Sequence, residues 1–151
     1  MMKIWISVIF LVLPWMIWLI LRKKESTGRL LLAGFFTASI KIFFDSMGVL
    51  FGLWHYNLPP SHHYHTFYIP WGFSIIPVTT MLLIQFKPKG SPYLKAILFS
   101  LFTVFVVEPL FHWLDIFEPV RWEYYFGLPF FFIYYLLAYK VSKIDTFADL
   151  S

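Results

Sequence analysis

Apolar positions along this chain gather into five long blocks divided by short polar links. The blocks cover residues 4–21, 30–54, 67–86, 94–117 and 124–139. A helix that crosses a bilayer needs about 20 mostly apolar residues. Four blocks reach or approach that length, and the fifth is short but bounded by charge on both sides. The pattern predicts an all-α, polytopic transmembrane bundle of five spans, a single integral membrane domain over residues 1–151. No repeat, low-complexity tract or domain linker interrupts it.

Composition strengthens that reading. Hydrophobic residues make up 60% of the chain and charged residues 13%, against about 45–50% and about 25% in ordinary soluble domains. With a mean hydropathy of +0.71, so small a soluble protein would lack the polar residues to cover its surface. There is no cysteine, which excludes disulfides, thiolate catalysis and Cys-based zinc sites.

The net charge of +4 matters through its placement. Arg22, Lys23, Lys24 and Arg29 lie between the first two blocks, Lys87 and Lys89 between the third and fourth with Lys95 at the entry to the fourth, and Lys140 and Lys143 after the fifth. Only Lys3 and Arg121 fall on the opposite side, and Lys41 lies inside the second block. Basic residues collect on the cytoplasmic side, so the N-terminus is expected outside and the C-terminus in the cytoplasm. The basic residues mark membrane ends beside lipid headgroups, not a nucleic-acid footprint. The first block lacks a small-x-small cleavage site and runs straight into Arg22–Glu25, so it reads as a retained anchor and not a signal peptide.

Polar residues inside the blocks are few and patterned. In the second, Gly34, Thr37, Lys41, Asp45, Gly48 and Gly52 recur every three or four residues, one helical stripe roughly 60° wide. Small residues permit close helix approach, and intramembrane charges face the bundle interior. In the fourth, Glu108, His112 and Asp115 follow i, i+4, i+7 spacing, a second stripe leading toward the outer surface. At 1.5 Å per residue, Asp45 and Glu108 each lie about 6 Å outward of their span midpoints, hence at one level. An ionised group at a helix centre costs about 2.5–3.5 kcal/mol on insertion scales. These residues are therefore expected to converge. Lys41 can pair with Asp45 four residues on, leaving Glu108 to take a proton, a share of Lys41, His112 or an outside ligand. Pro109 is expected to kink its helix and free the carbonyl of Phe105.

These residues fit three readings. One is an accessory or structural membrane protein, or a binder of a small ligand or lipid headgroup, with an outward-facing pocket of Lys41, Asp45, Glu108, His112 and Asp115. Another is an enzyme acting on a lipid or isoprenoid, with Glu108 as acid/base and His112 as its partner. The third is a small transporter or channel subunit with a Lys41/Asp45/Glu108 relay, which in so few spans requires a homo-oligomer or another membrane protein. Polar residues that glue helices together are the plain alternative to all three. His62, His63 and His65 offer imidazoles for zinc or copper, yet they stand in a Pro-rich loop with no carboxylate close in sequence. No cofactor is assigned: a retinal Schiff base would need Lys41, on the second span of only five. Trp54, Tyr56, Trp71, Trp113, Trp122, Tyr124 and Tyr125 read as an interfacial aromatic belt. Phosphate loops and nucleophile elbows are absent.

Asp45, the run Trp54–Tyr56 (WHY), Glu108 and the run Arg121–Tyr125 (RWEYY) together resemble a family of small, roughly five-span membrane proteins of spore-forming Firmicutes. The resemblance covers residues 30–140. It implies a bacterial cytoplasmic membrane and carries no established activity. The His-rich segment SHHYH lies outside the family pattern.

Overall fold

The computed structural model describes residues 2–57 and 67–144. It contains five helices, here α1 (Met2–Leu21), α2 (Thr27–Leu50, after a 3-10 turn at Lys24–Ser26), α3 (Trp71–Gln85), α4 (Pro92–Trp113) and α5 (Gly127–Ser142, after a 3-10 turn at Tyr124–Phe126). Three are long and apolar enough to cross a membrane: α1, α2 with its leading turn, and α4. The other two fall short of the usual 20 residues or so; α3 is about 22 Å long at 1.5 Å per residue.

α1 shows what the exposed surface demands. Only Trp18 is buried, while Ile4, Val8, Ile9, Val12, Leu13, Met16, Leu19 and Ile20 all stand exposed. Water does not tolerate an apolar band of this extent on a stable monomer, whereas hydrocarbon does. The inner helices bury a stripe instead. In α2 that stripe is Ala33, Gly34, Thr37, Ala38, Lys41, Asp45 and Gly48, which follows the spacing read from the sequence.

The five helix ends rich in basic residues lie at one end of the bundle. Gln85 Nε2 donates to Leu21 O at 3.0 Å, Arg29 Nη1 to Ser142 O at 3.3 Å, and Lys95 Nζ to Lys87 O at 3.0 Å. At the other end Lys3 of α1 pairs with Asp115, just past α4, at 2.7 Å.

α3 and α4 share a device. Each contains a five-residue π-helical turn, Trp71–Ile75 and Thr103–Val107, and in each the second residue after that turn is a proline, Pro77 or Pro109. A proline ring clashes with the carbonyl four residues earlier, and a widened turn relieves the clash while the helix continues. Pro109 thus stays within a helix that runs on to Trp113. The carbonyl that Pro77 leaves free, Phe73 O, accepts from Trp15 Nε1 at 2.9 Å, which ties α1 to α3. Ser74 Oγ, donating to Leu11 O at 2.9 Å, adds a second tie.

Two expected spans end early. α2 stops at Leu50 and α4 at Trp113, where the apolar pattern runs to 54 and 117. The chain turns through residues 51–53 and 114–116 and then enters two short strands. β1 (Trp54–Tyr56) and β2 (Phe117–Pro119) pair antiparallel, with Trp54 opposite Pro119, His55 opposite Glu118 and Tyr56 opposite Phe117. The two helices end alike. Beyond α2, Gly52 N bonds to Val49 O at 3.0 Å and Leu53 N to Gly48 O at 2.9 Å; beyond α4, Asp115 N bonds to His112 O at 3.0 Å and Ile116 N to Phe111 O at 2.9 Å. This is the Schellman closure, whose turning residue takes a left-handed conformation. Gly52 has φ +69° and Asp115 φ +57°. Gly52 is therefore a helix stop and not part of the packing stripe of α2. Each closure turns its chain directly into a strand of the ribbon.

Candidate functional site

Lys41 and Asp45 lie one helical turn apart on the buried face of α2. Lys41 Nζ meets Asp45 Oδ1 at 2.5 Å, with both side chains almost fully buried. The ammonium also stands 4.0 Å from the ring centre of Trp71 and 5.7 Å from that of Phe131, so aromatic faces replace much of its lost hydration. Trp71 reaches this position from the π turn of α3. Glu108 opens the last two turns of α4, directly after the second π turn, and is 3% exposed. It lines the same cavity as Lys41 and Asp45.

The rest of that cavity is aromatic. Phe44, Trp54, Trp71, Phe117, Trp122 and Phe131 close around the three charged groups. The ribbon supplies the roof. Alternate strand residues face opposite sides, so Trp54 and Tyr56 are buried while His55 is not. Trp54 meets Trp122 edge-on at 4.9 Å and Phe44 at 5.6 Å; Phe117 meets Trp71 at 5.6 Å and Tyr56 at 5.7 Å. Gly48 makes room for the roof: a Cβ there would overlap the six-membered ring of Trp54. The enclosed space is about 10 Å³, room for one water at most.

Hydrogen bonding inside the cage is incomplete. Asp45 Oδ2 and Glu108 Oε2 are buried acceptors with no hydrogen bond of good geometry, and the buried groups Trp54 Nε1, Trp71 Nε1 and Tyr134 Oη likewise lack one, while the Tyr56 hydroxyl stands near Asp45 and Trp54. Burial, followed by the charge of nearby Asp45, pushes the Tyr56 phenol well above its ordinary value, so it stays a neutral hydroxyl. One lysine faces two carboxylates. A buried carboxylate without a cation is costly, so neutrality requires a proton or a second cation at the Asp45/Glu108 pair.

The structure brings together Lys41, Asp45 and Glu108 of the residues singled out in the sequence, and separates His112 and Asp115 from them. His112 lies on the outside of the last turn of α4, with Nδ1 3.1 Å from Phe117 O and 3.5 Å from Glu118 Oε2. The buried face of that segment carries Glu108 and Phe111, three residues apart, and i+4 swings outward where the helix leaves the bundle. Asp115 is an exposed cap, held by Lys3 and by Asn57 Nδ2 at 3.2 Å. Those hydrogen bonds, Lys3 foremost, hold its carboxyl below the ordinary value. His62, His63 and His65 fall outside the described residues. Among the described residues, no three His, Cys, Asp or Glu side chains stand together as metal ligands would.

Part of the cage was hidden in the expected aromatic belt. Trp113 and Tyr125 are exposed at 79% and 57%, as a belt requires. Trp54, Tyr56 and Trp71 are instead buried at the site. For Trp54 and Tyr56 the separating signal is short: an apolar–polar–apolar triplet, Trp54-His55-Tyr56, two residues after the glycine stop at Gly52.

No protein family, curated protein or solved structure matches the chain.

Proposed function

We propose that the chain is a five-span integral membrane protein of accessory or structural role, its N-terminus outside and its C-terminus cytoplasmic. Lys41, Asp45 and Glu108 form a polar clamp that holds α2, α3 and α4 in register beneath the ribbon. The observation that carries this reading is the closure of the site. A cavity of about 10 Å³ admits no headgroup and no isoprenoid, and the groups around it are anchored in separate helices. The distribution of Lys and Arg supports the orientation. The resemblance to membrane proteins of spore-forming Firmicutes supports a bacterial cytoplasmic membrane.

Asp45 Oδ2 and Glu108 Oε2, each without a hydrogen bond of good geometry, favour a second reading, a proton relay in an oligomer, since a proton or a single water is what such a space accepts. The enzyme reading has less support, because His112 stands outside the cavity and cannot assist Glu108.

Glu108→Gln and Glu108→Ala separate the readings. In the purified protein in detergent, a clamp gives a lower Tm for Glu108→Ala and no change in proton flux of reconstituted liposomes. Unchanged Tm for both variants, with pH-driven flux abolished in Glu108→Gln, would sink the clamp and select the relay.

A further inference from the structure

A wide opening lies far from this cage, at the basic end. At the ribbon end α1 and α4 are held together, with Phe10 and Phe111 5.5 Å apart and Lys3 on Asp115. At the basic end a cleft of about 880 Å³ parts them, with α3 as its floor. Leu82, Leu83, Leu98 and Phe102 line its apolar part, while Lys23 and Lys87 stand at its rim. Both lysines are exposed.

The backbone of the rim is fixed by hydrogen bonds, and the Lys87 ammonium stands 5.7 Å from the ring centre of Phe86, another lining residue. Gln85 Nε2 ties α3 to Leu21 O, two residues before Lys23. Lys87 sits in a left-handed turn, φ +44°, and its carbonyl accepts both Gly90 N at 2.8 Å and Lys95 Nζ at 3.0 Å. Two exposed lysines thus line an apolar slot whose backbone rim is fixed. The slot's volume falls within the roughly 300–1,000 Å³ of ligand sites. Basic pockets between helices at a cytoplasmic membrane surface suit anionic lipid headgroups.

We propose that this cleft binds an anionic phospholipid, with an acyl chain along Leu82, Leu83, Leu98 and Phe102 and the phosphate between Lys23 and Lys87. The site rests on the reading of the chain as a membrane protein, and it is independent of the Lys41–Asp45–Glu108 cluster. Bulk lipid could wet the same apolar wall, but it would show no preference for charge.

The test uses the full chain in vesicles of equal parts phosphatidylglycerol and phosphatidylcholine, extracted in mild detergent, with retained lipid counted by mass spectrometry. The wild type is expected to retain phosphatidylglycerol preferentially. Lys23→Gln/Lys87→Gln should weaken that preference by roughly fivefold per lysine. Lys24→Gln/Lys89→Gln, which removes equal charge away from the cleft, should keep it. Leu98→Trp, which fills the slot, should lower retention while the lysines remain. Equal retention of the two lipids by the wild type, or equal losses in the two double variants, would overturn the site. Recovery of the chain in the aqueous phase without detergent would overturn the membrane reading itself, and the lipid site with it.

Discussion

At the ribbon end the bundle is sealed around its charges; at the basic end it lies open around a cleft. The two cavities measure about 10 Å³ and about 880 Å³. The charged residues differ in the same sense. Lys41 is 2% exposed, whereas Lys23, Lys24, Lys87 and Lys89 are all exposed. A lysine at a membrane surface extends its ammonium into water and needs no enclosure. A lysine inside the hydrocarbon must be given partners, because an unpaired charge or dipole is costly at low dielectric. Sealing is therefore the consequence of placing Lys41, Asp45 and Glu108 within the apolar depth of the bundle. The wide cleft is tolerated where charges meet water.

The largest expected effect tests that contrast directly. Lys41→Met leaves Asp45 buried without a cation, and breaking a buried pair on one side costs about 3–5 kcal/mol. Thermal unfolding in detergent should show a large drop in Tm, much of it recovered by Lys41→Met/Asp45→Leu. Leu98→Ala, in the open cleft at 51% exposure, should cost no more than about 0.5 kcal/mol. Comparable losses from Lys41→Met and Leu98→Ala would erase the distinction between the ends.

Next comes the fit of the roof. Gly48→Ala drives a methyl into the Trp54 ring, and overpacking of this kind costs typically about 1–3 kcal/mol. Trp54→Leu alone opens a cavity and is also destabilising. Together the two changes should cost less than their sum, because the smaller side chain leaves space for the new methyl. Strict additivity in a double-mutant cycle would mean that Gly48 and Trp54 do not meet.

The sequence carries the ends of this molecule unequally. The basic end is legible from residue type alone, since nine of the twelve Lys and Arg residues cluster at the helix ends there. The inward stripe of α2 is legible from its period, because Lys41, Asp45 and Gly48 repeat at helical spacing among large apolar residues. The ribbon is not. Trp54–Tyr56 and Phe117–Pro119 are apolar enough to extend the blocks of α2 and α4, and three-residue strands carry almost no period of their own. Their pairing joins residues some sixty positions apart, which no local pattern encodes. His112 and Asp115 mislead for a related reason. Spacing of i, i+4, i+7 puts side chains on one face only while the helix continues, and this helix stops at Trp113, before Asp115; His112 is still helical, but the buried face there runs through Glu108 and Phe111.

The two helix stops allow a sharper test at the ribbon end. Gly52 occupies left-handed backbone without a Cβ, and Gly52→Ala should cost about 1–2 kcal/mol. Asp115→Asn should be nearly neutral in the backbone, since Asn and Asp both tolerate that conformation. Unfolding in detergent should therefore rank Gly52→Ala well below Asp115→Asn in Tm. The reverse order would show that the turn after α2 does not depend on its conformation.

The smallest expected effect is the surface tie between Lys3 and Asp115. Asp115 has its carboxyl side chain 69% exposed, and exposed pairs contribute about 0–1 kcal/mol. Its sign with pH is nonetheless fixed. Lys3 holds the Asp115 carboxyl below its ordinary value in the folded chain, so the folded state favours the charged form. The contribution is fully present above the unfolded carboxylate value of about 3.9 and disappears as pH falls through the lower folded value. Wild type and Lys3→Gln should differ slightly in Tm at neutral pH and converge in acid, and added salt should narrow the gap at neutral pH. A gap that persists after Asp115 is protonated would belong to the bonds from Lys3 to the Asp115 and Asn57 carbonyls, at 2.8 Å and 3.4 Å. The corner would then be held by its backbone and not by its charge.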